Sequence, residues 1–307
     1  NLPVAIGHGE QVAVSIEQAL NPGKIDRFTW RELHSPDIPF DPDAVAFTGD
    51  PFPVASDIVV IAGAARSVFS ASRTGRLALM RGKDLNQATG LNWVDPQGLA
   101  IAEIPERDAF DGVVISPDGE HIALTVLDQT ATNHDIWIYE IERGFRNRFT
   151  VDETDEGDPL WSPDGRYIYF IADPDGTEKV YRKAVSGIRP PELVFDLGED
   201  VRIWDISADG KHMLYSVSGE GTDHDLWVVE LDGTDEPRLL VQTPATDGAA
   251  RFSPDGKWVA FTSNRSGTNA VYVVPAEGGS PTRLTWYPAP TYVRGWTRDG
   301  DHVLYAS

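Results

Sequence analysis

The 307-residue sequence contains no cysteine, which excludes disulfides, thiolate metal sites and a cysteine nucleophile. Basic residues are scarce: 26 Lys and Arg stand against 48 Asp and Glu, for a formal net charge of −22. Affinity for phosphate backbones rests on clustered Lys and Arg, so this charge balance argues against a nucleic-acid partner. No run of 18 apolar residues is present, so no membrane-inserting helix is expected. Asn1-Leu2-Pro3 does not begin a signal peptide, and a start at Asn fits a mature or excised piece. The strings G-x-S-x-G, H-E-x-x-H and G-x-x-x-x-G-K-[ST] are missing, which removes the usual warrants for esterase, zincin and phosphate-loop chemistry.

What the sequence has is a repeat. SRTGRLAL, SPDGEHIAL, SPDGRYIYF, SADGKHMLY, SPDGKWVAF and TRDGDHVLY place Gly75, Gly119, Gly165, Gly210, Gly256 and Gly300 at gaps of 44, 46, 45, 46 and 44 residues. Each copy is a tight turn between apolar strands, with Gly supplying the positive φ and Asp bonding its own backbone. A bulky residue such as Ile115, Trp161, Ile206, Phe252 or Trp296 precedes the Ser/Thr and is expected to pack between neighbouring units. Trp93, Trp137, Tyr181, Trp227 and Tyr272 recur 16 to 18 residues after the first five glycines and mark a third strand. A fourth follows in strings such as RNRFTV and PRLLVQ. A period near 45 built from four-stranded meanders predicts an all-β fold, a β-propeller of antiparallel blades.

The repeats are regular from about residue 65, and 1–307 reads as a single propeller domain with 1–64 as irregular N-terminal strands. The sixth unit stops at HVLYAS, after its second strand. Closure of the ring by N-terminal strands near 25–33 and 47–55, with SPDIPFDPD (35–43) as a proline-rich connector, gives six blades. A further hairpin in residues 1–20 would make seven, and the chain a truncated fragment.

On the repeated SPDG turns and the DIWIYEI and DLWVVEL strands, the chain resembles the TolB-type, WD-repeat-like propellers over roughly 65–307. DPDAVAFTGDPFPVASDI and VFSASRTGRLALMRG are similar to propellers appended to bacterial serine/threonine kinases. RFSPDGKWVAFTSNRSGTNAVYVVPAEGGSPTRLTWYPAP is similar to the N-terminal propeller of tricorn-type proteases. The resemblance implies a bacterial, extracytoplasmic or periplasmic propeller of six or seven blades. It implies no catalytic residue, because the chemistry of those relatives lies in another domain, which here would be a missing part of the same chain.

Candidate site residues come from loop placement. His121, His212 and His302 occupy one repeat position where other copies carry Leu77, Tyr167 and Trp258, which points to packing. His134 and His224 open matched third strands in ATNHDIW and GTDHDLW; two blades apart, they cannot share a metal whose ligands lie at about 2 Å. The loops joining a fourth strand to the next first strand bring Glu106, Asp108, Asp111, Asp155, Glu156, Asp158, Glu199, Asp200 and Asp247 towards one face, with Arg202 and Arg294 entering from inner strands. Asp111, Asp158, Arg202, Asp247, Arg294, His134 and His224 are therefore the expected ligand-contacting residues of an acidic channel mouth. No catalytic or metal-ligating set is assigned and no cofactor is expected, although oxygen-rich loops of this kind can hold Ca2+ or another divalent cation. The expected function is non-catalytic binding or scaffolding of a protein, peptide or small ligand. The alternative is a propeller hydrolase or lyase using mouth carboxylates and a divalent metal.

Overall fold

The computed structural model describes the strands between 36 and 110 and then the chain from 110 to 306, apart from 128–132, 199, 220, 234, 287–288 and 298; side chains are described from 112 onward. The anticipated hairpin in 1–20, the strand at 25–33, and Glu106, Asp108 and Glu199 lie outside the described residues.

Four antiparallel blades follow one another, with strands a to d in chain order. Blade 1 comprises Phe110–Ile115, His121–Leu127, His134–Glu140 and Phe145–Arg148. Blade 2 comprises Glu156–Trp161, Tyr167–Ala172, Lys179–Ala184 and Glu192–Phe195. Blade 3 comprises Arg202–Ile206, His212–Ser218, His224–Glu230 and Arg238–Val241. Blade 4 comprises Asp247–Phe252, Trp258–Ser263, Ala270–Pro275 and Thr282–Arg283. The a strands of successive blades touch one another, so a is the innermost strand and d the rim.

The expected six or seven blades are corrected by this arrangement: among the described residues the structure shows a four-bladed propeller. The chain on either side is built from shorter or borrowed strands. Towards the N-terminus lies a sheet of short strands, Phe69–Ala71, Leu77–Met80, Leu91–Val94 and Ala100–Ile104. At the C-terminus, Tyr292–Trp296 and His302–Ala306 have no outer strands of their own. Instead Pro36–Asp41 pairs with the last strand, Asp37 facing Leu304 and Ile38 facing Val303, and Ala46–Phe47 and Phe52–Pro53 pair in turn with Pro36–Asp41. An N-terminal strand does close onto the C-terminal one, but it is the segment expected to be a connector.

The turn joining strands a and b is built the same way in every described copy. In blade 2, Ser162 Oγ accepts the Tyr167 amide at 2.9 Å and donates to Asp164 at 2.6 Å, while Asp164 accepts the Arg166 amide at 3.0 Å. Gly165, at φ 71°, donates to the Ser162 carbonyl at 2.8 Å. The Ser162 hydroxyl, foremost among several donors, holds the Asp164 carboxyl down to about 2. Ser116, Ser207, Ser253 and Thr297 repeat the pattern. Ser162→Ala strands the Tyr167 amide in a part-buried setting, with an expected cost of about 1–2 kcal/mol; equilibrium urea denaturation checks this, and an unchanged midpoint would contradict it.

Apolar side chains fill the spaces between blades. Ile136, Phe149, Trp161, Ile168 and Phe170 pack between blades 1 and 2, and Leu226, Val228, Phe252, Phe261 and Tyr272 between blades 3 and 4. The bulky residue before each turn reaches the neighbour as expected: Trp161 Nε1 donates to the Val114 carbonyl and Trp296 Nε1 to that of Arg251, each at 3.0 Å.

Candidate functional site

In an antiparallel meander the b-to-c and d-to-a loops emerge at one end, so these loops and the starts of the a strands form one face. Every described a strand carries a β-bulge there. One extra residue falls between Phe110 and Gly112, between Gly157 and Leu160, between Ile203 and Asp205, between Gly248 and Arg251, and between Val293 and Gly295. Bulges bend a strand and re-aim side chains. Three expected site residues, Asp111, Asp158 and Arg294, lie in these bulges. Asp158 is half-buried at φ 54°, a left-handed conformation that costs an ordinary side chain about 1–2 kcal/mol. Arg294 lies over the Tyr292 ring, 5.7 Å from its centroid.

The bulge of blade 3 holds Trp204, which sequence reasoning did not single out. Its Nε1 donates to Ser216 Oγ at 2.9 Å, and its ring covers Gly248 of blade 4 so closely that a Cβ there would sit 2.8 Å from Cζ2. Gly248→Ala therefore displaces the indole; a blue or red shift in tryptophan emission together with a lower melting temperature is the expected signature.

The residues converge at Asp200, in the loop between blades 2 and 3 and itself at φ 53°. Arg202 approaches its Oδ1 at 3.0 Å and Ser218 Oγ donates to its Oδ2 at 3.2 Å, while His224 Nε2 lies 3.2 Å from Oδ2 without hydrogen-bond geometry. Arg202 is in addition 3.6 Å from Glu178. Burial pushes the Glu178 carboxyl up, Arg202 pulls it down, and Asp200 and Asp158 add to the upward push. On its other side His224 Nδ1 lies 3.2 Å from Asp223 Oδ1, and Thr246 of the next loop donates to Asp223. Asp158, Glu178, Asp200, Arg202, Asp223 and His224 thus form one connected, acid-rich network over blades 2 to 4. Two strained aspartates, Asp158 and Asp200, belong to it, and such strain collects at functional sites. The Arg202 side chain is 38% exposed, which leaves its guanidinium accessible.

Other expected residues lie elsewhere. His134 is bound to Asp155 by both its amide and its Nδ1, the latter at 2.9 Å, at the blade 1–2 junction. Asp247 is fully buried, pairs with Arg265 at 2.7 Å and accepts from Thr243 at 2.9 Å; it is a packing residue at this face. Among the described residues, Asp118, Glu120 and His121 are the group of three His/Asp/Glu whose ligand atoms come within 4.8 Å of one another. They belong to the turn of blade 1 at the opposite end, and Asp118 is already engaged by Ser116 and the Glu120 amide.

The architecture defines the class as a β-propeller, four-bladed among the described residues, with an acid-rich face where its inter-blade loops gather. Comparison with known proteins narrows this. Residues 221–307 match the tricorn protease N-terminal beta propeller domain. The uncharacterized peptidase YuxL of Bacillus subtilis is 29% identical over 194 residues, covering 50% of this chain and 29% of that protein. Tricorn protease homolog 1 of Streptomyces coelicolor is 46% identical over 77 residues, 25% of this chain and 7% of that one. Among solved structures, TolB from Acinetobacter baumannii superposes with a TM-score of 0.62 at 16% identity, over 95% of this chain and 67% of that one. Together these findings show the fold of the TolB propellers and a likeness of residues 221–307 to the tricorn N-terminal propeller. The chain spans less than a third of the length of the peptidase relative.

Proposed function

We propose that this chain is a non-catalytic recognition propeller that binds a protein or peptide segment at the Asp200 network. The observation that carries the reading is the convergence of Arg202 and His224 on one strained carboxylate beside Glu178 and Asp158. An acidic surface with one accessible guanidinium complements a mainly basic segment that also offers a carboxylate. Trp286 (73% exposed) and Val151 (66% exposed), both on d-to-a loops, add apolar anchors of the kind protein interfaces use. The resemblance to TolB supports an extracytoplasmic place of action, and the peptidase names among the relatives support service beside a catalytic domain. A hydrolytic role for the network itself is less favoured: Ser218 and Thr246 donate to carboxylates and not to an imidazole, so neither makes the nucleophile–base contact such chemistry needs.

Arrayed peptides of varied charge, probed with the chain, test the reading. The chain should retain basic, carboxylate-containing peptides; Asp200→Asn, which tolerates the same backbone conformation, should lose them about tenfold or more with little change in melting temperature, and Arg202→Glu should shift the retained set. Indifference of binding to both variants, or chelator-sensitive hydrolysis in place of binding, would overturn it.

A further inference from the structure

One position varies tellingly between blades: the residue six before each turn serine or threonine, at the head of strand a and against the previous blade. In blade 3 it is Val201, fully buried. In blade 4 it is Asp247, neutralised by Arg265 at 2.7 Å. Before the last turn it is Thr291, whose hydroxyl bonds that of Thr285 at 2.8 Å. In blade 2 it is Glu156, 2% exposed, and among the described residues no cationic side chain pairs with it. Its Oε1 accepts from Thr154 Oγ1 at 2.7 Å and the Thr150 hydroxyl also favours its charged form, but its Oε2 is buried with no partner at hydrogen-bond geometry. Arg148, on the last strand of blade 1, is placed on Asp135, at 2.7 Å.

A second orphan acceptor is tied to the same Thr154. Asn133, 8% exposed, donates Nδ2 to the carbonyls of Thr154 at 2.9 Å and Asp152 at 3.5 Å. These bonds fix the amide's orientation, since a flip would set oxygen against oxygen. Its Oδ1 is thereby turned to a buried position with no partner. Asn133 and Glu156 share Thr154, one on its carbonyl and the other on its hydroxyl, and Glu156 also feels the charges of Asp135 and Asp152. Buried acceptors without a donor cost free energy unless something positive or proton-bearing completes them.

We propose that the junction of blades 1 and 2 holds a Ca2+ ion, bound by Glu156 and the Asn133 amide oxygen. The donors at hand are all hard oxygens: the Glu156 carboxylate and the Asn133 amide oxygen, with the hydroxyls of Thr150 and Thr154 next to Glu156. An irregular all-oxygen set suits Ca2+, whereas Mg2+ demands near-octahedral geometry and keeps its waters. With Asp135 paired to Arg148, the buried Glu156 carboxylate is left without a cation, and the exposed Asp152 adds to the negative potential around it. The ion would tie strand a of blade 2 to strand c of blade 1 where the other described junctions use valine, an ion pair or a hydroxyl pair.

The test uses the whole chain, stripped with chelator and melted at pH 8 with and without millimolar Ca2+. Saturating Ca2+ should raise the melting temperature by on the order of 5 °C, Mg2+ should give a smaller rise, and titration calorimetry should show a site lost in Glu156→Gln and weakened in Asn133→Leu. Glu120→Gln, in the turn at the opposite end, should leave that site intact. A Ca2+ response retained in full by Glu156→Gln, or no response in the wild-type chain, overturns the proposal in favour of a bridging water or a protonated Glu156.

Discussion

Arg265→Ala is expected to destabilise the propeller by about 3–5 kcal/mol, because it leaves the Asp247 carboxylate charged, buried and unpaired. Asp247 is fully buried, so no solvent relieves it; among the described residues the Thr243 hydroxyl, at 2.9 Å, is the other side-chain donor to its carboxylate. Arg265 contributes packing as well as charge, since its guanidinium lies 4.7 Å from the Tyr272 ring centroid and 5.2 Å from that of Phe261. The fall in melting temperature should be on the order of 10 °C for a chain of this size. Removing both partners should cost far less. The equivalent position in blade 3 is Val201, equally buried, which shows that the fold accepts an apolar residue there, and replacing a buried pair by apolar groups is often near neutral. Asp247→Val combined with Arg265→Leu should therefore recover most of the loss. Thermal melts of the two single variants and the double form a cycle; additive losses would mean that the pair is not the unit of stability.

That pair also shows where sequence reading stopped. The turn repeat fixed strand order, the inter-blade tryptophans and the face on which the loops gather, because turn chemistry is local and each Ser-x-Asp-Gly closes its own hydrogen bonds. Blade number was not local. It depends on how the flanking chain completes its sheets, and Pro36–Asp41, with a proline at each of two positions, reads as a connector while pairing with His302–Ala306. Arg202 and His224 were recognised singly, but their meeting on Asp200 follows from a left-handed backbone that no residue type announces. Asp247 carries the same signal as Asp158 in a list of loop carboxylates; only the distance to Arg265, eighteen residues away, separates a packing residue from an accessible one. The bulges left a trace in the sequence that went unread: four of the five border a strand glycine, Gly112, Gly157, Gly248 or Gly295, while the extra residues themselves are Asp, Trp, Ala or Arg.

Glu156 gives the second large effect, this time in pH. Burial foremost, with the charges of Asp135 and Asp152 adding and the hydroxyls of Thr154 and Thr150 opposing, pushes its carboxyl from 4.5 up to about 7. A carboxyl whose folded value is raised binds its proton more tightly in the folded chain than in the unfolded one. Below about pH 4.5 both states are protonated and Glu156 costs nothing; between 4.5 and 7 the unfolded state ionises first and stability falls; above 7 the loss is complete, on the order of 3 kcal/mol in metal-free buffer. Glu156→Gln cannot ionise, so its stability should be free of this component. In chelator, wild type and variant should melt together near pH 4.5, and the variant should become the more stable by pH 8. The difference between their profiles isolates Glu156 from Glu178, whose carboxyl is also raised and whose contribution both proteins share. Calcium reverses the order at pH 8, since it favours the ionised carboxylate that wild type alone possesses. Parallel profiles from pH 4.5 to 8 in chelator would show that Glu156 is solvated well enough to titrate normally, and the burial assigned to it would then be wrong.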